Sequence, residues 1–147
     1  MIDKRVVEFI NEHHVVALTV SDGKEIWSWH AFYIYLEEEN LFVITSESKT
    51  RHIKMLLNGG SSLVAGAIAL ETETIGLLRG VQLNAVMEIC SGSFLNKYRL
   101  RYLKRFPYAV LVGGDLWTLK VTELKFTDNR LGFGKKLLWK ASDNANN

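Results

Sequence analysis

Cysteine and proline are almost missing from this chain, which has one of each, Cys90 and Pro107, in 147 residues. A lone thiol excludes an intrachain disulfide and fits a reducing compartment. Long apolar runs are missing too. The longest, residues 63–70, is far too short to cross a bilayer. The N-terminus, M-I-D-K-R-V-V-E-F-I-N-E, lacks the apolar stretch and small-residue cleavage site of a secretory leader. Charge of one sign is scarce: the net charge is +2 and the pI about 8.7, which by itself calls for no nucleic acid. No repeat, linker or low-complexity tract breaks the chain before A-S-D-N-A-N-N at its end. These absences predict one cytoplasmic domain over residues 1–147, its tail 140–147 frayed, with no membrane partner.

What is present is core. The chain is 48% hydrophobic and 11% aromatic, enough for a folded domain of this length. Ile2, Val6, Phe9 and Ile10 share one helical face behind a capping Asp3. Strand-like runs follow at 15–21, 26–36, 41–45, 62–70, 75–89, 117–126 and 131–139. Asp22-Gly23 marks a hairpin between the first two. Helices are predicted at 48–58, stopped by Gly59-Gly60, and at 93–106, ended by Pro107. Short connections favour antiparallel pairing, so the expected fold is mainly β (α+β), a six- to seven-stranded antiparallel barrel with flanking helices.

The run I-W-S-W-H-A-F-Y-I-Y-L at 26–36 adds a constraint. Alternation sends Ile26, Ser28, His30, Phe32 and Ile34 to one face and Trp27, Trp29, Ala31, Tyr33 and Tyr35 to the other. Both faces are largely apolar, so a helix, a second subunit or a flat aromatic ligand must cover the outer one.

The stretch T-S-E-S-K-T-R-H-I-K-M, residues 45–55, crowds hydroxyls and cations where a strand hands over to a helix. The first amides of a helix have no intrahelical partners and sit at the positive end of its dipole, which makes an anion site. Lys49 and Arg51 oppose that dipole unless an anion lies between them. A phosphate fits the geometry, and a capped helix with a solvated basic first turn is the plainer alternative.

With L-T-V-S-D-G-K, L-F-V-I-T-S, S-K-T-R-H-I and R-G-V-Q-L-N-A-V, all within residues 15–89, the sequence resembles the pyridoxamine phosphate oxidase-like flavin proteins. The tail F-T-D-N-R-L-G-F-G-K-K-L-L-W resembles their uncharacterised bacterial YhbP-like branch. The resemblance implies a split barrel that binds FMN at a homodimer interface, with oxidoreductase activity on an unnamed substrate as the enzymatic expectation. It implies Thr45, Ser46, Lys49, Thr50 and Arg51 at the FMN phosphate, with Trp29 and His30 near the ring. Two departures from the oxidase pattern are visible. The second strand offers only His30 where the oxidases present basic side chains, and no paired basic motif follows Trp117. Pyridoxamine phosphate oxidation itself is therefore not expected.

Other signals are plainer. His13, His14, His30 and His52 lack the spacing of a zinc motif, so no metal is expected. G-F-G-K-K, 132–136, misses the phosphate-loop pattern and reads as an edge strand or bulge. Cys90 has no neighbouring base to activate it. Helix 93–106 carries Lys97, Arg99, Arg101, Lys104 and Arg105 with no acid, around a buried stripe of Leu95, Tyr98, Tyr102 and Phe106. A solvated face is its ordinary meaning. The alternative function is a non-enzymatic binding module that contacts a polyanion through this helix, although specific nucleic-acid binding is not expected.

Overall fold

The computed structural model describes residues 1–144. Its elements are α1 (Lys4–Glu12), β1 (Val15–Ser21), β2 (Ile26–Phe32), β3 (Ile34–Leu36), β4 (Leu41–Ser46), α2 (Arg51–Asn58), β5 (Leu63–Ala69), β6 (Arg79–Ile89), α3 (Phe94–Arg105), β7 (Asp115–Asp128) and β8 (Lys136–Lys140). The strands form one antiparallel sheet in the order β2-β1-β5-β6-β7-β4-β3, with β8 also on β7. The sheet curls into a split barrel with three helices, mainly β, as the sequence predicts.

The extra strand comes from the 26–36 run, which breaks at Tyr33. Its first part pairs with β1 and its second with β4, at opposite ends of the sheet order. Alternation survives the break. Trp29 and Ala31 pack against the main core, and Tyr33 and Tyr35 lie within it, with Val6, Phe9, Phe42 and Ile53. On the other side, Ile34 and Leu36 join a second core beneath Tyr98 and Tyr102 of α3. A helix therefore covers one end of the outer face, while Ile26 and Phe32 remain exposed.

The hairpin turn follows its residues. Gly23 takes φ +89°, and the Asp22 carboxylate accepts from the amides of Lys24 (2.9 Å) and Glu25 (2.8 Å). Asp3 caps α1 by accepting from the Arg5 amide. The far end of α1 is closed by three side chains. His13 Nδ1 lies 2.8 Å from the Phe9 carbonyl, the Tyr33 hydroxyl donates to Ile10 (2.6 Å), and Arg105 donates to Asn11 (3.4 Å). These satisfy carbonyls that a helix end leaves open. Burial pushes the Tyr33 phenol up, so it remains a protonated donor at neutral pH.

Other boundaries move. Helix α2 starts at Arg51 rather than 48, because Thr50 is still extended. Strand β6 starts at Arg79 rather than 75, because residues 75–77 form a 3-10 turn. The last strand starts at Lys136 rather than 131. A 3-10 turn at 129–131, followed by Gly132 (φ +120°) and Gly134 (φ +75°), keeps G-F-G-K out of the ladder. In the segment expected to be a tail, Lys140 ends β8 and residues 141–144 form a 3-10 turn. Residues 145–147 lie outside the described residues.

The bond from Tyr33 to α1 supplies a stability test. Tyr33→Phe leaves a buried carbonyl without its donor, at a cost of about 1–3 kcal/mol. Urea unfolding should show that loss with an unchanged slope. Unchanged stability would mean that water or another donor replaces the hydroxyl.

Candidate functional site

Strand β4 delivers Thr45 and Ser46 to the head of α2 through the turn 47–50. Ser46 is held from the sheet side, where the Trp117 indole donates to its carbonyl at 3.2 Å. Gly114 (φ +103°) backs onto it so closely that a Cβ there would stand 3.3 Å from the Ser46 carbonyl carbon.

His52 organises the hydroxyls. Its Nε2 lies 2.6 Å from Ser46 Oγ and 3.1 Å from Thr50 Oγ1. Thr50 donates its own proton to the Glu47 carbonyl at 2.8 Å, so toward His52 it can only accept. The tautomer with its proton on Nε2 meets that demand. The imidazole stacks on Trp29, with centroids 4.2 Å apart and planes 6° from parallel. Burial lowers the His52 pKa below its ordinary 6.5, so the ring is mostly neutral at pH 7. Sequence reasoning weighed His52 only as a metal ligand and missed this role. The available signal was its place two residues after Thr50, on the first turn of a helix that follows a strand ending in hydroxyls.

Because Thr50 turns its hydroxyl to Glu47 and His52, it does not cap the helix. The first-turn amides of α2 are left without a side-chain acceptor. The cations point outward. Lys49 pairs with Glu47 at 2.9 Å, and that carboxylate holds its pKa up. Arg51 lies 4.0 Å above the Trp27 ring and 3.4 Å from Glu25. Together with Asp22, Glu25, Lys54 and Asn58 they line an open groove of about 380 Å³.

The sequence candidates thus fall into separate groups. Ser46 and Thr50 meet at His52, and Lys49 and Arg51 share the groove outside it. Thr45 faces α3, with its hydroxyl 3.4 Å from that of Tyr102. Trp29 points inward against His52, whereas His30 is exposed on the opposite face of β2. Cys90 is buried, and burial pushes its thiol pKa up, so it stays a protonated thiol at neutral pH. No cluster of His, Cys, Asp and Glu suited to a metal occurs among the described residues.

Comparison with known proteins adds relatives along nearly the whole chain. A UPF0306 protein of Cronobacter sakazakii is 37% identical over 140 residues, covering 95% of this chain and 96% of that protein. The UPF0306 protein YhbP of Escherichia fergusonii is 37% identical over 134 residues, covering 91% and 90%. No family model matches the chain. Among solved structures, HutZ, a heme storage protein from Vibrio cholerae, superposes with a TM-score of 0.69 at 12% identity, covering 94% of this chain and 93% of its own. An FAD-binding protein of Mesorhizobium loti gives 0.65 at 9%, covering 82% and 87%. A heme binding protein of Mycobacterium smegmatis gives 0.70 at 17%, covering 86% of this chain, which spans about half (52%) of that protein. At such low identity these likenesses establish the fold alone.

The half-buried imidazole of His52 makes stability depend on pH. Its folded pKa lies below the ordinary 6.5, so under mild acid the unfolded chain binds a proton that the folded chain resists. Stability is therefore full above about pH 6.5 and falls as pH drops below it. Denaturant midpoints at pH 7.5 and 5.5 should differ less in His52→Gln than in the parent. An equal drop in both would remove His52 as a cause.

Proposed function

The chain belongs to the UPF0306 family, and on that premise we propose that it is a homodimeric protein that binds FMN at the head of α2. The carrying observation is the uncapped start of that helix, flanked by Lys49 and Arg51. In this reading a phosphate takes the first-turn amides and both cations, with Ser46 and Thr50 behind it. Magnitudes favour the exchange. An exposed ion pair contributes about 0–1 kcal/mol, whereas a hydrogen bond to a charged group contributes about 1.5–3 kcal/mol. The pairs Lys49–Glu47 and Arg51–Glu25 can therefore open toward a phosphate at a net gain.

One face of Trp29 is taken by His52, so its role in this reading is to back the imidazole. Trp27, half-exposed beneath Arg51, is the aromatic nearest the anchoring cations. When bound, FMN supplies redox chemistry that no side chain here can perform, and the chain contributes anchoring, packing and local charge. The fold neighbours described as FAD- and heme-binding support a flat conjugated ligand. Heme is the second reading, favoured by the exposed imidazole of His30, a residue type that ligates heme iron.

The homodimer rests on the outer sheet face. A shallow groove of about 470 Å³ there is floored by Ala17, Ala65 and Ala67. Exposed Ile26, Phe32 and Leu63 extend the apolar area. Small side chains let a second sheet approach closely, and an isologous C2 contact would bury the same patch on both copies.

Titration with FMN, riboflavin and heme tests the ligand. Lys49→Ala with Arg51→Ala should weaken FMN by about 2–4 kcal/mol and leave riboflavin, which has no phosphate, nearly unchanged. Equal losses for both would place the damage in the fold rather than the anchor. Heme binding without flavin binding would replace the first reading with the second.

Sedimentation tests assembly separately. The parent should run as a dimer at micromolar concentration, and Ala67→Glu should shift it toward monomer. A monomeric parent would exclude the homodimer.

A further inference from the structure

Helix α3 and the turn after it lie apart from the α2 groove, which shares no lining residue with the two cavities beside this helix. From residue 89 to residue 114 there is no Asp or Glu, yet the stretch holds Lys97, Arg99, Arg101, Lys104 and Arg105. Two of these cations are engaged. Arg105 donates to the carbonyls of Tyr33 (3.2 Å) and His13 (2.6 Å), and Lys97 stands 4.0 Å from Glu39. Arg99, Arg101 and Lys104 have no carboxylate partner among the described residues.

The turn is ordered and apolar. Pro107–Leu111 form a 3-10 helix. The Val112 and Gly113 amides both donate to the Ala109 carbonyl, at 3.2 and 3.4 Å. Ala109 faces the second core. Its neighbours face out: Tyr108, Val110, Leu111 and Val112 are 82, 68, 81 and 74% exposed. Arg99 and Val110 line one small cavity, so one unpaired cation of the helix lies against the apolar turn, while Arg101 and Lys104 line a separate groove with Asn11 and Tyr35. An anchored backbone thus holds a cluster of large apolar side chains in water at the end of a helix with three cations that lack carboxylate partners.

Chemistry selects the occupant. A two-fold axis through this acid-free surface would set it against itself in a second copy, cation toward cation. A nucleic acid would satisfy the cations and find a ring in Tyr108, but its charged backbone would leave Val110, Leu111 and Val112 without an apolar partner. A bilayer with anionic headgroups satisfies both parts. Headgroup phosphates take Arg101 and Lys104, and the boundary with the acyl chains takes Leu111 and its neighbours.

We propose that residues 97–112 dock the protein onto an anionic lipid surface. The contact is peripheral: no helix among the described residues is long and apolar enough to cross a membrane. The lack of a spanning run, from which no membrane partner was expected, does not bear on adsorption of this kind. The docking surface is independent of the cofactor reading.

Flotation of the full chain with phosphatidylcholine vesicles, and with vesicles of equal parts phosphatidylcholine and phosphatidylglycerol, tests the proposal. Capture should occur on the anionic vesicles alone and weaken as salt rises. Arg101→Gln with Lys104→Gln should lower the partition coefficient about 30-fold. Leu111→Ser with Val112→Ser should lower it at least about tenfold. All four side chains are exposed, so thermal midpoints should stay put. Failure of the parent to bind anionic vesicles overturns the proposal. So does loss in the charge variant without loss in the apolar variant, which describes a general polyanion site. A change in sedimenting mass for the Leu111/Val112 variant would make the patch an interface between copies instead.

Discussion

Strand β7 must serve two partners along one edge, and the rest of the fold depends on how it does so. On one side it pairs with β6 from Asp128 to Trp117. On the other side it pairs with β4 over residues 115–120 and with β8 over 123–127. Between these halves lies Thr122, the extra residue of a β-bulge, since Asn84 opposes Glu123 and Ala85 opposes Val121. A bulge bends its strand and increases the local twist. The Thr122 hydroxyl pins this one by donating to the Asn84 carbonyl at 3.2 Å. The sheet can therefore turn away from β4 and continue with β8, which is how it curls around one core.

The position of the hydroxyl cluster follows from that pairing. Because β4 runs beside residues 115–120, Ser46 ends opposite Asp115 and within reach of the Trp117 indole. The chain must then reverse over the open edge, and α2 begins where His52 can meet Ser46 and Thr50 while resting on Trp29 of the distant β2. One neutral imidazole thus joins strands from opposite ends of the sheet order. It also draws Thr50 away from its capping role, which leaves the helix head open beside two cations. Structural order and an uncapped helix start come from the same three side chains.

Charge is divided between two regions. Around α2 the cations are balanced by Glu25 and Glu47, so any anion there must displace weak surface pairs. Around α3 no acid lies nearby in sequence. Of its five cations, Arg105 is engaged in closing α1 and Lys97 faces Glu39. A net charge of +2 conceals this contrast, because totals carry no information about which cations have partners.

Local chemistry was legible in the sequence. Asp3 as a cap, the Asp22-Gly23 turn, the apolar face of α1 and the Tyr98/Tyr102 stripe of α3 each depend on neighbours a few residues away. The inside–outside alternation from Trp27 to Tyr35 was equally readable, because period two is a property of extended backbone. The break at Tyr33 was not readable, since it exists only because β1 and β4, which pair with its two parts, are not neighbours in the sheet. The late start of β8 escaped for a related reason: R-L-G-F-G alternates like a strand, and only the Asp128–Arg130 turn and two glycines at positive φ remove it from the ladder. Among the candidate site residues, the sequence by itself determined which carried hydroxyl, cationic or aromatic groups. Tertiary structure alone decided which of them meet, because a hydrogen bond across the fold depends on pairing register and loop closure rather than on residue type.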